Sequence, residues 1–454
     1  MIVSAVYSKP TTRSLSEETV DNTHAKMTPR VNIGIMGAGV VGAATIEVLH
    51  RKSDLFKRTL ACELIVKKVL VRSLDKPRSA TVPDAILTMD PADILEDPDI
   101  QIVVEVMGGE EPARRYICKA LQRGKHVVTA NKEVVAKHGL GLLQLANEHK
   151  VDLLFEASVG GGIPVIVTLR DDLIANEITS IQAIINGTTN FILTAMSQGR
   201  DYSEALREAQ ELGYAEADPT NDVEGIDAAY KLAILSSLAY KTEIAPADIR
   251  RIGITNLHPK DFKYAEEMGY SIKLLATAYR NDHKLELAVR PAFLLKDHHL
   301  ASVKGAFNAI LIDGDQLDNL MLYGQGAGGK PTASAVVADI CASANNIMRG
   351  VTENLALDDN PLERVDFGDT ESRFYVRMQV ADQAGVLAQI SEILGKNDIS
   401  IASVIQKETD EAARNAEIVV MSHLAVEKQM ERAMDQVAGL EIVREISAFI
   451  RVAR

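Results

Sequence analysis

Asp227 and Lys231 stand four residues apart in Gly225-Ile226-Asp227-Ala228-Ala229-Tyr230-Lys231, the spacing that puts a carboxylate and an ammonium on one face of a helix. An exposed pair of this kind is worth only about 0.3–0.5 kcal/mol and is ordinarily a solvated surface contact. The apolar run that follows, Leu232-Ala233-Ile234-Leu235, instead predicts a helix buried on much of its circumference, where charges need a reason. Carbonyl reduction supplies one, because a lysine oriented by a carboxylate can deliver a proton to the nascent alkoxide. Upstream, Glu216, Asp218 and Asp222 offer carboxylates for a substrate ammonium. Asp218-Pro219 breaks the preceding helix, and Asp222 is expected to N-cap the next one.

A hydride carrier needs its own cradle. Gly37-Ala38-Gly39-Val40-Val41-Gly42 follows a strand expected over Val31–Met36 and opens a helix expected over Val40–His50, the context of a dinucleotide fingerprint. Its glycines serve the tight turn, backbone approach to a pyrophosphate, and close helix–strand packing. The bland alternative is a glycine-rich turn with no ligand. The second strand ends at Val71-Arg72-Ser73 with no acid for a ribose hydroxyl; Arg72, with Lys76 and Arg78 nearby, suits a 2′-phosphate, so NADP is favoured and NAD remains possible. The competing reading makes Arg72 a solvated strand end.

Lys132, in His126-Val127-Val128-Thr129-Ala130-Asn131-Lys132, falls just beyond the carboxyl end of a strand, where open α/β sheets bind ligands. There it can pair with a substrate carboxylate or with cofactor, or be a surface lysine. The glycines of Phe155-Glu156-Ala157-Ser158-Val159-Gly160-Gly161-Gly162 let backbone approach a cofactor ring or a small cation, although a domain hinge accounts for them as well.

These groups need elements to hold them. From Val31 to about Phe155, short β-branched runs alternate with helical stretches, which predicts βαβ units and a doubly wound parallel sheet. The NAD(P)-binding domain is expected over 31–160, after a flexible N-terminal extension at 1–30. An α+β catalytic, substrate and dimerisation domain is expected over 161–325. The loop Tyr323-Gly324-Gln325-Gly326-Ala327-Gly328-Gly329-Lys330-Pro331 precedes a small-residue helix over Thr332–Ala344, so about 326–348 is expected to return to the first domain. Residues 349–372, polar and acidic with Pro361, read as a linker. The alternation over 373–454 predicts a compact βαββαβ module.

Composition narrows the function. With 63 acidic against 49 basic residues and a net charge of −14, the chain has no overall footprint for nucleic acid or anionic lipid. No apolar run reaches the length of a spanning helix, and three scattered cysteines fit reduced thiols in a cytoplasmic protein. No histidine or cysteine spacing suggests zinc, and no cysteine in a glycine-rich turn supports an acylating aldehyde dehydrogenase.

The fingerprint, Thr129–Lys132, Glu156–Pro164, Asn186-Gly187-Thr188-Thr189-Asn190-Phe191-Ile192 and Gly213–Lys231, in this order, resemble homoserine dehydrogenase from about Val31 to Met348. The resemblance implies reversible hydride transfer between NAD(P)H and L-aspartate 4-semialdehyde, giving L-homoserine in threonine, methionine and isoleucine biosynthesis. It implies proton transfer by Lys231 and Lys132, positioning of the first by Asp227, and binding of the substrate's amino end by Glu216 and Asp222. It also implies a monovalent cation, such as Na+ or K+, held largely by backbone oxygens at Glu156, Val159, Gly161 and Ile163. Gly161 replaces a common alanine, a departure expected to be neutral if only its carbonyl is used. Gly326 matches a cofactor-side loop.

The last 80 or so residues resemble an ACT domain, with Asp382-Gln383-Ala384-Gly385-Val386-Leu387 at the first strand-to-helix turn. This implies feedback inhibition by L-threonine, bound at Asp382 and the backbone of Gly385, Val386 and Leu387, in a homodimer or homotetramer. A module used only for pairing subunits is the alternative. For the whole chain, the alternatives are a non-catalytic amino-acid sensor and a dehydrogenase of another amino-acid aldehyde.

Overall fold

The structure, a computed structural model, describes residues 28–75, 82–353, 362–410 and 415–454. The N-terminal extension up to residue 27, Lys76, Arg78 and Pro361 lie outside them. Six parallel strands, β1 (Arg30–Met36), β2 (Glu63–Leu70), β3 (Leu87–Thr88), β4 (Ile100–Glu105), β5 (His126–Thr129) and β6 (Leu153–Leu154), form a sheet ordered β3-β2-β1-β4-β5-β6. Order runs outward in both directions from β1 and β4, so the crevice at their carboxyl ends is the switch point where such sheets take ligands.

Alternation sends side chains to two cores. Ile33, Ile35, Val69, Ile102 and Val104 pack with Ile46 and Leu49 of helix Val40–Arg51 and with Val336 and Ile340 of helix Gly329–Arg349. Met36, Leu70, Val103 and Val127 face the other way, toward Ile117, Leu121 and Val135. The helix expected over Thr332–Ala344 begins earlier, at Gly329. Pro331 is tolerated in its first turn, where the missing N–H costs nothing. Tyr323-Gly324-Gln325 belongs to a strand, which leaves Gly326–Gly328 as the loop.

The second sheet contains β7 (Ile178–Ile184), β8 (Arg250–Arg251), β9 (Tyr270–Asn281), β10 (Lys284–Leu295), β11 (Phe307–Gly314), β12 (Leu320–Gln325), β13 (Glu363–Arg364), β14 (Glu371–Ala381), β15 (Ile401–Asp410), β16 (Asn415–Ser422), β17 (Ala425–Val426) and β18 (Val443–Val452). From β14 onward, with helices Val386–Lys396 and Glu427–Ala438, these make the βαββαβ module, with β17 as a short added bridge. Ala292 and Phe293 of β10 pair in parallel with Arg451 and Val452 of β18. One sheet therefore runs β12-β11-β7-β9-β10-β18-β14-β16-β15 through catalytic region and module alike. Part of the stretch read as a linker is built into this sheet: Glu363 and Arg364 pair with Lys284 and Leu285, and Leu362 and Thr370 are buried. Among the described residues, no helix is long and apolar enough to cross a membrane.

Candidate active site

Gly37 leaves β1 at φ 111°, and a Cβ there would lie 2.8 Å from the Val106 carbonyl oxygen; at Gly42 a Cβ would lie 2.0 Å from that of Gly37. Only glycine fits either position. At Gly39 an added Cβ would meet nothing within 4 Å: the space above the turn is open. Gly39 caps helix Val40–Arg51 through its backbone alone, and the first turn carries no acid. Uncapped amides at a helix N-terminus facing open space fit a dinucleotide pyrophosphate. Ala38 is half-buried here, whereas Val40 is 76% exposed at the entrance. Arg72 is exposed just past β2.

The open space continues into a cleft of about 280 Å³ lined by Val41, Gly108, Lys132, Gly161, Lys231 and Gly326, among others. Two glycine loops touch along it. Gly161 has φ 58°, and a Cβ on it would come within 2.6 Å of the Gly326 carbonyl group. In this chain an alanine at 161 would push the Gly326 loop from its seat. A Cβ on Gly326 would in turn overlap the Asn308 amide.

Helix Ile226–Ala239 forms the floor, buried on nearly every side. Its N-cap is Gly225 at φ 73°, not Asp222. Asp222 lies instead in the single turn Thr220–Val223, because Asp218 already ties the start of that turn through the Thr220 N–H and hydroxyl. This leaves the Asp222 carboxylate to face inward. Lys231 donates to Asp227 Oδ2 at 2.7 Å and to the Ile185 carbonyl oxygen at 2.8 Å. Lys132, the first residue of helix Lys132–His149, reaches Asp227 Oδ1 at 2.5 Å from the opposite side. The Asp227 carboxylate is thus clamped between two ammonium groups. Their side chains differ in exposure, 10% for Lys231 against 43% for Lys132.

Burial decides how these charges behave. It would raise the Asp227 carboxyl, but the charges of Lys231 and Lys132 overcome it and hold the group well below the usual carboxylate range. Burial lowers Lys231, reinforced by the charge of Lys132 and opposed by Asp227. At Lys132 the balance reverses: burial acts to lower it, but Asp227, Asp222 and Glu216 prevail and raise it. Of the two lysines, Lys231 gives up its proton more readily. Asp222 is raised by burial and by the Asp227 charge, against a hydrogen bond from Asn186. Glu216 is exposed, and its charge acts on Lys132.

Two buried groups were absent from the site expected from sequence. Asn186 donates to both Asp222 and Asp227, at 2.7 and 2.9 Å. Glu105, at the end of β4, accepts from the Met107 N–H at 2.8 Å and the Thr129 hydroxyl at 2.7 Å, which shapes the loop lining the cleft. An acid closing the apolar run Ile100-Gln101-Ile102-Val103-Val104 was the available signal for Glu105, and the Asn186-Gly187-Thr188 motif was the one for Asn186.

At the candidate cation position, the Glu156 carboxylate accepts the Ile166 and Val167 N–H groups, each at 2.8 Å. The side chain is committed to a helix start and burial raises its pKa. The Ile163 carbonyl oxygen already accepts the Val165 N–H at 2.9 Å. Among the described residues, no group of three or more His, Cys, Asp or Glu could hold a metal. In the C-terminal module, Asp382, Gly385 and Leu387 are exposed at the start of helix Val386–Lys396, whereas the Val386 side chain packs into the core.

A switch-point dinucleotide cradle, a buried lysine–carboxylate pair across its cleft and a C-terminal βαββαβ module together define a nicotinamide-nucleotide-dependent oxidoreductase carrying an ACT domain. Family models for the homoserine dehydrogenase NAD-binding domain, for homoserine dehydrogenase and for the ACT domain match residues 37–156, 164–341 and 374–441. A homoserine dehydrogenase of Synechocystis is 44% identical, covering 93% of this chain and 99% of that protein; one of Bacillus subtilis is 38% identical with 93% and 98% coverage. The crystal structure of the Thiobacillus denitrificans enzyme superposes with a TM-score of 0.88 at 40% identity, over 93% of this chain and 98% of that one. A hyperthermophilic archaeal homoserine dehydrogenase in complex with NADPH, 32% identical, gives 0.60 over 69% and 97%. The chain belongs to the homoserine dehydrogenase family, NAD(P)-dependent oxidoreductases that act on a CH–OH group in amino-acid biosynthesis.

Proposed function

We propose that the chain reduces L-aspartate 4-semialdehyde to L-homoserine with NADPH in preference to NADH, runs the reverse reaction, and is inhibited by L-threonine. The observation that carries the catalytic part is the Asp227 carboxylate clamped by Lys231 and Lys132 beside Asp222. The nicotinamide cofactor, when bound, supplies hydride to the aldehyde carbon. Lys231 donates a proton to the carbonyl oxygen as charge develops there, and its lowered pKa favours that release. Asp227 fixes the orientation of Lys231, and Lys132 takes a position between substrate and cofactor. Asp222 and Glu216 receive the substrate ammonium. The amides of the turn from Ala38 to Val41 receive the pyrophosphate, Gly37 and Gly42 permit the turn and its packing, and Arg72 receives the 2′-phosphate.

A monovalent cation at the carbonyls of Glu156, Val159, Gly161 and Ile163 would brace the hinge between the two domains. The effector reading rests on the exposed turn at Asp382 and Gly385. A homodimer or homotetramer working in the cytoplasm completes the proposal. The test is consumption of NADPH, and separately NADH, with L-aspartate 4-semialdehyde, with and without millimolar L-threonine. Turnover suppressed by threonine is the expected result. Turnover without suppression would make the module a pairing element, and folded protein that binds NADPH without turnover would overturn the catalytic reading.

A further inference from the structure

Asn186 sits between β7 and helix Gly187–Ser197, and each polar atom of its amide has a defined task. Its Oδ1 accepts from the Thr189 N–H at 2.8 Å and the Thr189 hydroxyl at 2.9 Å, which caps the helix. That fixes which way the amide faces. With the oxygen committed, the two N–H bonds of Nδ2 can only point the other way, at Asp222 Oδ1 and Asp227 Oδ2. The side chain is buried, so water is not at hand to replace either bond. The preceding carbonyl, that of Ile185, accepts from Lys231. Two consecutive residues therefore touch three charged groups of the site.

We infer that Asn186 is a positioning residue that sets the distance between the amino-end anchor, Asp222, and the proton-donating pair, Asp227 and Lys231. The inference rests on the reading of these three residues given above. The two carboxylates repel each other, and only a neutral group with two donors can bridge them without adding charge. A substrate held by its ammonium at one end and its carbonyl oxygen at the other is measured by that spacing. Asn186 thereby makes the site selective for the separation of amino and aldehyde groups, a property that neither carboxylate has alone.

The test separates capping from bridging. Asn186→Ser and Asn186→Asp both retain an oxygen that suits an N-cap, but serine is too short to bridge and aspartate cannot donate. Asn186→Ser is expected to keep the melting temperature and the KM for NADPH of the parent, whereas Asn186→Asp, which sets a third carboxylate against Asp222 and Asp227, should keep that KM and melt lower. In both, kcat with L-aspartate 4-semialdehyde should fall on the order of 10- to 100-fold, as expected when hydrogen bonds to buried charged groups are lost. The KM for the amino-bearing substrate should rise. Wild-type protein in the same assay reports separately on the catalytic reading.

A second readout needs no turnover: the 13C carboxyl resonance of Asp222 followed by NMR titration. The groups facing that carboxyl are Asn186, Asp227 and Lys231 on the floor helix, and Lys132 on helix Lys132–His149. Loss of the Asn186 donor in Asn186→Ser should move its titration to higher pH. An unchanged titration, or wild-type kinetics in a folded Asn186→Ser protein, would overturn the inference. So would a parallel loss of melting temperature and NADPH affinity, because the substitution would then have disturbed the structure at large and not the spacing of these groups.

Discussion

A carboxylate facing two ammonium groups keeps its charge under almost any condition, so the chemistry of this site turns on which lysine releases a proton. Lys231 is the more buried of the two and its pKa is lowered, whereas Lys132 is raised and half-exposed. Lys132, held raised by the surrounding carboxylates, is the weaker acid of the two. Lys231→Ala should therefore lower kcat by a factor on the order of 10²–10⁴, while NADPH binding, measured by quenching or enhancement of its fluorescence, stays intact. Near-wild-type turnover would remove Lys231 as donor. At this scale the Asp227–Lys231 pair was legible because its contact is written in adjacent helical turns. Asn186 was not, because its partners lie 36 and 41 residues further along the chain and are brought to it only by tertiary structure.

Among elements, helix Gly329–Arg349 closes the first domain, and one of its residues touches the hinge directly. Asp339 Oδ2 accepts the Glu156 N–H at 2.9 Å, beside a cavity of about 320 Å³ also lined by Arg170 and Glu353. Burial, reinforced by the neighbouring Glu156 charge, pushes the Asp339 carboxyl up to about 8. A folded-state pKa above the unfolded value means that the folded chain binds the extra proton. The stability this confers is complete below the unfolded pKa, near 4, and is lost as pH rises through about 8. An asparagine in its place would be neutral at every pH and still accept from the Glu156 N–H, so Asp339→Asn should raise the melting temperature more at pH 9 than at pH 5. An equal shift at both would place the charge cost elsewhere. The existence of this helix was legible from its small residues, but its start was not: Gly328-Gly329-Lys330-Pro331 reads as a loop, and only packing against Val40 and Ala44 decides that it is helical.

At the scale of the whole molecule, catalytic region and C-terminal module share one sheet where separate domains were expected, and the strand patterns explain why. The alternation in β14 and β18 identifies strands, but nothing in a strand's pattern names its neighbour across a domain boundary, and the β10–β18 joint is only two residue pairs long. A buried charge network fastens the same joint. Arg377 of β14, 4% exposed, grips Asp261 of helix Pro259–Glu267 with two hydrogen bonds, at 2.7 and 3.2 Å, and reaches Glu417 of β16 at 3.2 Å. Tyr375 and Tyr264 donate to the same two carboxylates. Through β10, β9 and β7 this joint is continuous with Ile185 and so with Lys231. Arg377→Met would leave Asp261 without its cationic partner in a dry interface, a loss of about 3–5 kcal/mol, measurable by urea unfolding. Adding Asp261→Asn and Glu417→Gln should recover most of it, since the penalty comes from the orphaned charges and not from missing volume. If the sheet carries the effector's influence, Arg377→Met retains basal turnover and loses threonine inhibition. A variant destabilised by less than about 1 kcal/mol, with inhibition intact, would show that the network neither holds the module in place nor couples it to the active site.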